Sequence, residues 1–415
     1  MSLQSQLLLM EQALRAGQAH LLPGLQDLFV ASHPDTAVAY SDLAWLHLRV
    51  AHGEPLQAER EALRLLKHAL GLRANCWQAL DGLCEVHYRL GDAAQAMLTG
   101  HAALKAKHEA ALAATPDAQP SATARRYWEV QSDLKVVACS LFGRDVFYAE
   151  AAVRNAQDVA RWYPGWICRF YVGADVSADV KRRLREAGAE VMMPPAAQAH
   201  LPGTVWRFMA LDDLRVKTVL LRDADSLITE REVLAVQQWL ASHCEAHVMR
   251  DHPVHTELML AGLWGAHSRS LRGVGEALRD FFSRPFHATH GDQHFLRAWV
   301  WPRIWRSVMQ HDSMRNWYAP EMAQPLNYPR ALAIGEEHVG HAPTQWRTLN
   351  AGDMNAQQLD FQLEDAQGTL LGQYVAQSGE QGYTLRLPPH VVQAIDSGQW
   401  RLKATEPAPH LVIKG

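Results

Sequence analysis

The most informative segment of the sequence is residues 218–226, Thr-Val-Leu-Leu-Arg-Asp-Ala-Asp-Ser. The apolar run predicts a buried strand, and it leads directly into Asp223 and Asp225. Carboxylates two residues apart on an extended segment point the same way, so both can reach one divalent cation. Mg²⁺ and Mn²⁺ prefer such oxygen ligands, and either ion can neutralise a diphosphate leaving group. The alternative is a turn that caps a helix before Thr229-Glu230.

Strands and helices alternate on both sides of this stretch. Residues 205–214 predict a helix and residues 246–249 a further apolar segment. The alternation predicts an α/β domain with a mostly parallel sheet. Ligands bind beyond the carboxyl ends of the strands in such sheets, so chemistry is expected just after each apolar run. The other segments are strands near 136–139, 166–172 and 190–193 and helices near 146–161 and 178–187.

Residues 1–125 are rich in helix-forming residues with apolar positions at helical spacing. Ala62 and Ala96, Ala69 and Ala103, and Leu70 and Leu104 are each 34 residues apart, which is the tetratricopeptide period. The spacing predicts a tetratricopeptide-like helical domain. A plain helical bundle in an alanine-rich chain is the alternative.

Residues 344–415 change character again. Five short segments of alternating polarity are separated by glycines, which predicts a small antiparallel β domain. The predicted organisation is a helical domain over 1–125, an α/β domain over 132–343 and an all-β domain over 344–415. The five segments lie at 359–363, 369–375, 383–387, 400–403 and 411–413.

The α/β region resembles nucleotide-sugar glycosyltransferases of the GT-A fold, a Rossmann-like mixed sheet. It is similar to bacterial glycosyltransferase-like proteins with tetratricopeptide repeats and, more distantly, to the glycogenin and lipopolysaccharide-galactosyltransferase group. The resemblance covers roughly half the chain and does not reach the β domain. The matching stretches occur in order at 140–143, 148–156, 163–166, 206–208, 222–232, 249–255, 260–265, 291–296, 311–313, 328–330 and 338–340.

The resemblance implies a donor site at the end of the first strand. A turn there would seat the nucleotide, Arg207 would lie near the donor phosphates, and Gly262 would leave room for the acceptor. Asp223 and Asp225 would hold the metal, with His338 as the first candidate for a third ligand and His341 as the second. The implied donor-binding residues are Ser140, Leu141, Phe142, Gly143, Arg207, Arg222 and Gly262.

Three further residues are implied as catalytic. Asp251 would bind sugar hydroxyls or act as a base, as His252 and His255 also could. Asp292 and Gln293 would lie near the anomeric carbon, on a helix running to Val300. The alternatives are an Asp251–arginine pair that fixes a loop and an N-cap role for Asp292. Trp264 is mostly expected in the core, although it could stack on a sugar ring.

Composition limits the other classes of function. The 415 residues include 40 Lys and Arg against 44 Asp and Glu, a net charge of −4, which argues against a nucleic-acid partner. The five scattered cysteines contain no CxxC pair, so neither a disulfide framework nor a zinc ribbon is predicted. With no transmembrane run and no secretory signal in view, a cytoplasmic setting is expected.

The sequence therefore predicts transfer of a hexosyl group from a nucleoside diphosphate sugar, a UDP-sugar being favoured, to a hydroxyl acceptor. The acceptor would be a glycan, a lipid-linked glycan or a protein, and the cofactor Mn²⁺ or Mg²⁺. The distant likeness implies retention of anomeric configuration. The helical repeats could bind a protein partner or a second copy of the chain. A non-catalytic scaffold and a nucleotidyltransferase remain the alternatives, the second wanting a glycine-rich basic loop that Leu141–Asp145 only poorly provides.

Overall fold

The computed structural model describes residues 2–15, 18, 21–49, 55–115, 133–283, 290–315, 338–350, 358–379, 382–405 and 412–414. Helices occupy the first part of the chain, and two sheets follow. The resemblance segment at 328–330 lies outside the described residues.

The α-helices are α1 (Leu3–Arg15), α2 (Leu22–Ser32), α3 (Ala37–Arg49), α4 (Pro55–Leu72), α5 (Trp77–Arg89), α6 (Ala93–Ala114), α7 (Val146–Trp162), α8 (Ala178–Glu186), α9 (Glu230–Leu240), α10 (Val274–Ser283), α11 (Gly291–Phe295), α12 (Trp301–Ile304) and α13 (Pro389–Asp396). Tighter 3₁₀ turns form Gly203–Asp212, Ser268–Leu271 and Trp305–Ser307, and a wider π-helix forms Leu296–Val300.

The strands are β1 (Leu134–Leu141), β2 (Ile167–Val172), β3 (Glu190–Met192), β4 (Val216–Arg222), β5 (Ala246–Arg250), β6 (Leu263–His267), β7 (Val308–Asp312), β8 (Gln345–Asn350), β9 (Gln358–Asp365), β10 (Leu370–Gly379), β11 (Gly382–Leu387), β12 (Trp400–Ala404) and β13 (Val412–Lys414).

The N-terminal helices pack as neighbours through small residues. Ala62 and Ala69 of α4 are fully buried, and so are Ala96 and Ala103 of α6, which lie at the 34-residue offset of the sequence pattern. Buried alanines allow helices to approach closely, because they add little volume between the axes. Asp92 caps α6 by accepting a 3.1 Å hydrogen bond from the backbone N–H of Gln95.

The first sheet is mixed and seven-stranded, in the order β3-β2-β1-β4-β6-β5-β7. Strand β6 runs antiparallel to both β4 and β5, whereas β1, β2, β3 and β4 pair in parallel, as do β5 and β7. The carboxyl end of β4 and the amino end of β6 therefore meet at one edge. This topology brings Gly262, just before β6, next to Asp223, just after β4.

Both faces of this sheet are covered. Val137 and Cys139 of β1 pack into one apolar core with α7 and α8, and Val136 and Ala138 pack into another with the Gly203–Asp212 turn. Alternate residues of a strand point to opposite faces, so a strand covered on both sides reads as a continuous apolar run. This is why the apolar runs predicted the strands well.

The second sheet has six strands in the order β12-β9-β10-β11-β8-β13, and every pair recorded in it is antiparallel. It includes strand β8, which was not predicted, and it is accompanied by helix α13, so the expectation of an all-β region was incomplete. This second sheet packs against the helices α7 and α8 that cover the first sheet, because Phe361 and Tyr374 belong to the same apolar core as Val137 of β1. Buried Glu150 of α7 accepts hydrogen bonds from Arg183 of α8 and from the Tyr374 hydroxyl, which fastens this junction.

Two predicted helices differ in form. The segment expected at 205–214 is the Gly203–Asp212 3₁₀ turn, where the Arg207 N–H donates to the Ser140 hydroxyl, 2.9 Å away, instead of to a helical carbonyl. The helix expected at 293–300 is α11 followed by the π-helix. Pro302 lacks an N–H and its ring crowds the carbonyl four residues earlier, which favours the wider turn before it.

Within the described ranges, no helix combines the length and apolarity that crossing a bilayer requires.

Candidate functional site

Asp223 and Asp225 lie together at the edge where β4 ends. The Asp223 side chain is 45% exposed. Burial and the neighbouring negative charge of Asp223 raise the pKa of Asp225 to about 6. That Asp223 and Asp225 bind one cation stays a prediction.

Arg207 links the Asp-x-Asp segment to Asp292. Its buried guanidinium donates to the Asp223 carboxylate and lies 3.4 Å from an Asp292 oxygen, and it also donates to the Arg222 carbonyl at 3.1 Å. Burial raises the pKa of Asp292, and the charge of Asp223 raises it further, while Arg207 opposes both. The sequence predicted Arg207, Asp223 and Asp292 for one site, and they are in contact.

Gly262 is required for this arrangement. A Cβ built on Gly262 would overlap the Asp223 carboxylate and lie 2.9 Å from the Asp223 backbone nitrogen. Any side chain there would displace Asp223. The sequence expectation was that glycine keeps the acceptor pocket clear, whereas the structure shows that it makes room for the first carboxylate.

The predicted nucleotide turn follows β1. Ser140 is buried and binds the Arg207 N–H, and Leu141 is buried as well. Phe142 is 42% exposed and lies edge-on to Trp206, with 5.8 Å between ring centroids. Gly143 has a φ of +81°, a conformation that glycine adopts readily, and donates to Asp175 at 2.8 Å. The exposed part of this turn is Phe142.

Helix α7 and the segment after residue 338 hold the Asp-x-Asp loop. The Asn155 amide of α7 donates to the carbonyls of Ala224 and Ser226, both at 2.9 Å. The Ser226 hydroxyl donates to the Gly340 carbonyl at 3.2 Å. The loop is thus fixed from two sides, while the Asp223 side chain is 45% exposed and Asp225 is half-buried.

Asp251 occupies a different, closed position. Its side chain is fully buried and receives two hydrogen bonds from Arg231, at 2.8 and 2.9 Å, one from the Ser313 hydroxyl and one from the Val339 N–H at 3.1 Å. These donors occupy both oxygens. The placement favours the alternative in which Asp251 fixes loops through an arginine pair.

His338 lies in a group of histidines. Its ring centroid is 4.6 Å from His252, 5.2 Å from His255 and 5.3 Å from His341. Burial lowers the pKa of His252 to about 4, with the charges of His338, Arg315 and His341 acting in the same direction. The structure therefore brings His338 together with the histidines that follow Asp251.

Arg222, Trp264 and Gln293 complete the predicted set. Arg222 points into the protein, where it donates to Glu232 at 2.7 Å and to the Trp264 carbonyl at 2.8 Å. Trp264 is fully buried with its ring edge-on to Phe208, which agrees with the expectation that it lies in the core and not with the alternative that it stacks on a sugar. Gln293 is half-buried at the start of α11, beside Asp292.

The N-cap alternative for Asp292 also differs from the structure. His290, with a φ of 60°, holds the N-cap position of α11, and Asp292 lies in the first turn. Its second carboxylate oxygen accepts from the Gln293 N–H at 2.9 Å. The carboxylate therefore faces both the helix start and Arg207.

The N-terminal helices touch the element that bears Asp292. Lys107 of α6 is fully buried between Asp81, at 2.7 Å, and Glu257, at 2.8 Å. Burial opposes ionisation of Glu257, but the charges of Lys107 and Arg297 hold its pKa below the ordinary value. Arg297, in the π-helix after α11, lies over the Trp77 ring at 4.1 Å.

Sequence reasoning missed one charged residue near the site. Arg386 of β11 lies over the ring of Phe147, 3.9 Å from its centroid, at the start of α7. Its positive charge lowers the pKa of Asp225, against the larger effect of burial. Alternating polarity placed Arg386 opposite Leu385 and Leu387 on its strand, but nothing in the sequence linked that face to Asp225.

The Asp223–Asp225 pair fits a divalent cation as two of its ligands. In the ranges that the structure covers, no group of three or more His, Cys, Asp or Glu side chains converges as a metal cage. Mg²⁺ is commonly held by one or two carboxylates together with water and substrate phosphates. A two-carboxylate site open to solvent at Asp223 is consistent with that mode.

Several solved structures of glycosyltransferases are similar to the chain. One is a variant of the Thermobaculum terrenum O-GlcNAc transferase, at 17% identity over 53% of this chain, with a TM-score of 0.26. Another is the Rubrobacter xylanophilus mannosyl-3-phosphoglycerate synthase, at 16% identity over 54% of this chain and 77% of its own, with a TM-score of 0.31. A third is the Mycobacterium tuberculosis glucosyl-3-phosphoglycerate synthase with Mn²⁺ and UDP-glucose, at 14% identity over 46% of this chain and 74% of its own, with a TM-score of 0.28.

The match spans 45% of the O-GlcNAc transferase chain, less than half of its length. No protein-family model and no curated protein sequence matches the chain.

Proposed function

We propose that the protein is a metal-dependent glycosyltransferase that moves a sugar from a nucleoside diphosphate sugar to a hydroxyl acceptor. One observation supports this above the others. At the end of the central strand β4, the Asp223 carboxylate is 45% exposed, Asp225 follows two residues later, and buried Arg207 joins Asp223 to Asp292. Opposed charges at a strand end are suited to a substrate that combines a metal-bound diphosphate with a neutral sugar.

Each residue of the site has a proposed task. Asp223 and Asp225 would hold Mn²⁺ or Mg²⁺, which when bound would neutralise the diphosphate. Arg207 would orient Asp223 and add positive charge beside the leaving group. Asp292 would face the sugar, with Gln293 next to it on α11.

The turn Ser140–Gly143 would receive the nucleotide. Its exposed ring, Phe142, is supported by Trp206, and exposed aromatic rings are suited to stacking on a base or a ribose. A UDP-sugar remains the favoured donor. His338 remains the proposed third ligand, although it would have to approach Asp225 from the group of histidines that it occupies.

The proposed domains are a tetratricopeptide-like region over 1–125, the GT-A-like transferase region over 132–343 and the β region over 344–415. The helical region would recruit a protein acceptor or partner by a face other than the one buried against Glu257. The cytoplasm is the proposed location.

The proposal is tested by a thermal-shift panel of UDP-, GDP-, CMP- and TDP-sugars with and without Mn²⁺. Selective binding to the folded state raises the melting temperature by mass action. We expect a metal-dependent increase with one nucleotide class, and loss of the increase in the double variant Asp223→Ala/Asp225→Ala. Arg401→Ala, an exposed residue of β12, is the control and should keep the increase.

Folded wild-type protein that shows no shift with any donor would contradict the proposal. It would favour the scaffold alternative, in which the helical repeats perform the function.

A further inference from the structure

The second sheet places an arginine beside the candidate donor site. Arg386 projects from β11, where it is half-buried, and its guanidinium lies 3.9 Å from the ring centroid of Phe147 and 4.8 Å from that of Tyr148. These two aromatic residues begin α7, directly after the Ser140–Gly143 turn. Stacking on two rings fixes the direction of the guanidinium, so its position is set by the fold.

Among the described residues, Arg386 differs from the other arginines at this junction in having no carboxylate partner. Arg183 pairs with Glu150, Arg144 with Asp360 at 3.0 Å, and Arg347 with Asp396 at 3.4 Å. In the part of the chain that the structure describes, Arg386 forms no ion pair and its side chain donates no hydrogen bond. Its donors are therefore available to a ligand.

Arg386 also acts electrostatically on the Asp-x-Asp segment, because its positive charge bears on the Asp225 carboxyl. Arg207 is already bound by Asp223 and Asp292, whereas among the described residues Arg386 has no such partner.

We propose that Arg386 binds a phosphate of the nucleoside diphosphate sugar, so that the second sheet completes the donor site. The inference rests on the proposed function and deepens it. Guanidinium matches a phosphate through paired N–H donors, and Arg386 lies on two rings in the first turn of α7, the helix that follows the turn proposed for the nucleotide.

The same geometry favours the donor over an anionic acceptor. Arg386 of β11 lies against Phe147 and Tyr148 at the start of α7, which follows the nucleotide turn. The residues proposed to face the sugar, Asp292 and Gln293, belong to α11, and Asp292 contacts Arg207. An acceptor anion would be expected on the α11 side.

The experiment compares Arg386→Met and Arg386→Lys with wild type by isothermal titration of UDP and GDP in the presence of Mn²⁺. Methionine keeps the contact with the rings and removes the charge, while lysine keeps the charge and loses the paired donors. We expect Arg386→Met to bind the preferred diphosphate about tenfold to hundredfold more weakly, and Arg386→Lys to fall between the two. Arg401→Met on β12 of the same sheet is the matched control and should bind as wild type does.

Two further readouts separate the possible failures. Melting temperatures without ligand should agree among the variants, so that a loss of binding is not a loss of folding. Wild-type affinity in Arg386→Met would overturn the inference and leave the proposed function standing. Unchanged diphosphate affinity with a raised KM for the acceptor would overturn the donor assignment, and wild-type protein that binds neither diphosphate would overturn both.

Discussion

Asp223 and Asp251 were expected to serve one site, yet their surroundings differ sharply. Asp223 is 45% exposed and is met on its buried side by Arg207. Asp251 is fully enclosed, with Arg231, Ser313 and the Val339 N–H on its two oxygens. One carboxylate has lone pairs left for a ligand, and the other has its hydrogen-bonding capacity filled by the protein.

The difference shows what separates a carboxylate that can bind a ligand from a structural one. It is whether hydrogen-bond donors of the protein already fill its oxygens, more than the residue type or its place in a motif. Both aspartates follow a strand and both contact an arginine. Only at Asp223 is one side of the carboxylate open, and Gly262 keeps it open by having no side chain. An Asp251 with four donors around it would have to break an ion pair before it could serve as a base.

The largest expected effect is on activity at the open aspartate. Asp223→Asn removes a charge that the proposed metal and Arg207 both require, so release of nucleoside diphosphate from the donor should fall about 10²- to 10³-fold. The free energy of unfolding should change by no more than about 1 kcal/mol, because the side chain is nearly half exposed and Arg207 retains Asp292. Activity assays and urea unfolding on the same preparation measure both. A variant that loses stability instead of activity would show that Asp223 is a structural carboxylate, as Asp251 is.

The opposite pattern is expected at the closed aspartate. Asp251→Asn leaves Arg231 buried without its counter-charge and weakens the hold on Val339, so it should destabilise the fold by about 3–5 kcal/mol. Asp360→Asn is a matched control, because the Asp360–Arg144 pair is solvent-exposed and should be worth about 0–1 kcal/mol. Urea unfolding at neutral pH gives both values. Near-wild-type stability with lost activity would return Asp251 to the catalytic set.

The sequence predicted the surroundings of Asp223 better than those of Asp251, for a physical reason. The apolar run ending at Arg222 reveals a strand, its end locates Asp223 and Asp225, and strand-end chemistry in an α/β sheet is a local inference. Contacts such as Val339 with Asp251, or Arg386 with Tyr148, join segments far apart in the chain. They depend on how the sheets pack, and neither periodicity nor spacing contains that information.

The same limit applies to the buried arginines. Arg222 adjoins the Asp-x-Asp segment and looked equally suited to bind the donor, but the alternation of side chains along β4 turns it toward Glu232. Its neighbour in space, Arg207, comes from the 3₁₀ turn and reaches Asp223 instead. The structure therefore decides which arginine faces the site: Arg222 by its direction on β4, and Arg207 by the packing of its 3₁₀ turn against the sheet.

The smallest expected effect is on the pH dependence of the free energy of unfolding. It concerns His311, which is buried on β7 next to Asp312. Burial lowers the pKa of His311 to about 3, below the ordinary value of 6.5. The unfolded chain therefore takes up this proton first as the pH falls, so the contribution to stability is complete above about pH 6.5 and is lost progressively toward pH 3. Between pH 6.5 and 5 the loss is about 1.4 kcal/mol per pH unit, or about 2 kcal/mol in total.

His311→Gln should remove that share of the pH dependence, and exposed His101→Gln should leave it unchanged. Urea unfolding at pH 7 and pH 5 measures the difference between the two pH values for each protein. If wild type and His311→Gln lose the same free energy of unfolding between pH 7 and pH 5, the buried region around His311 admits water before the protein unfolds. Water that enters this buried region at pH 5 would also compete for the hydrogen-bond donors around Asp251. The contrast between Asp251 and the solvent-exposed Asp223 would then be one of degree.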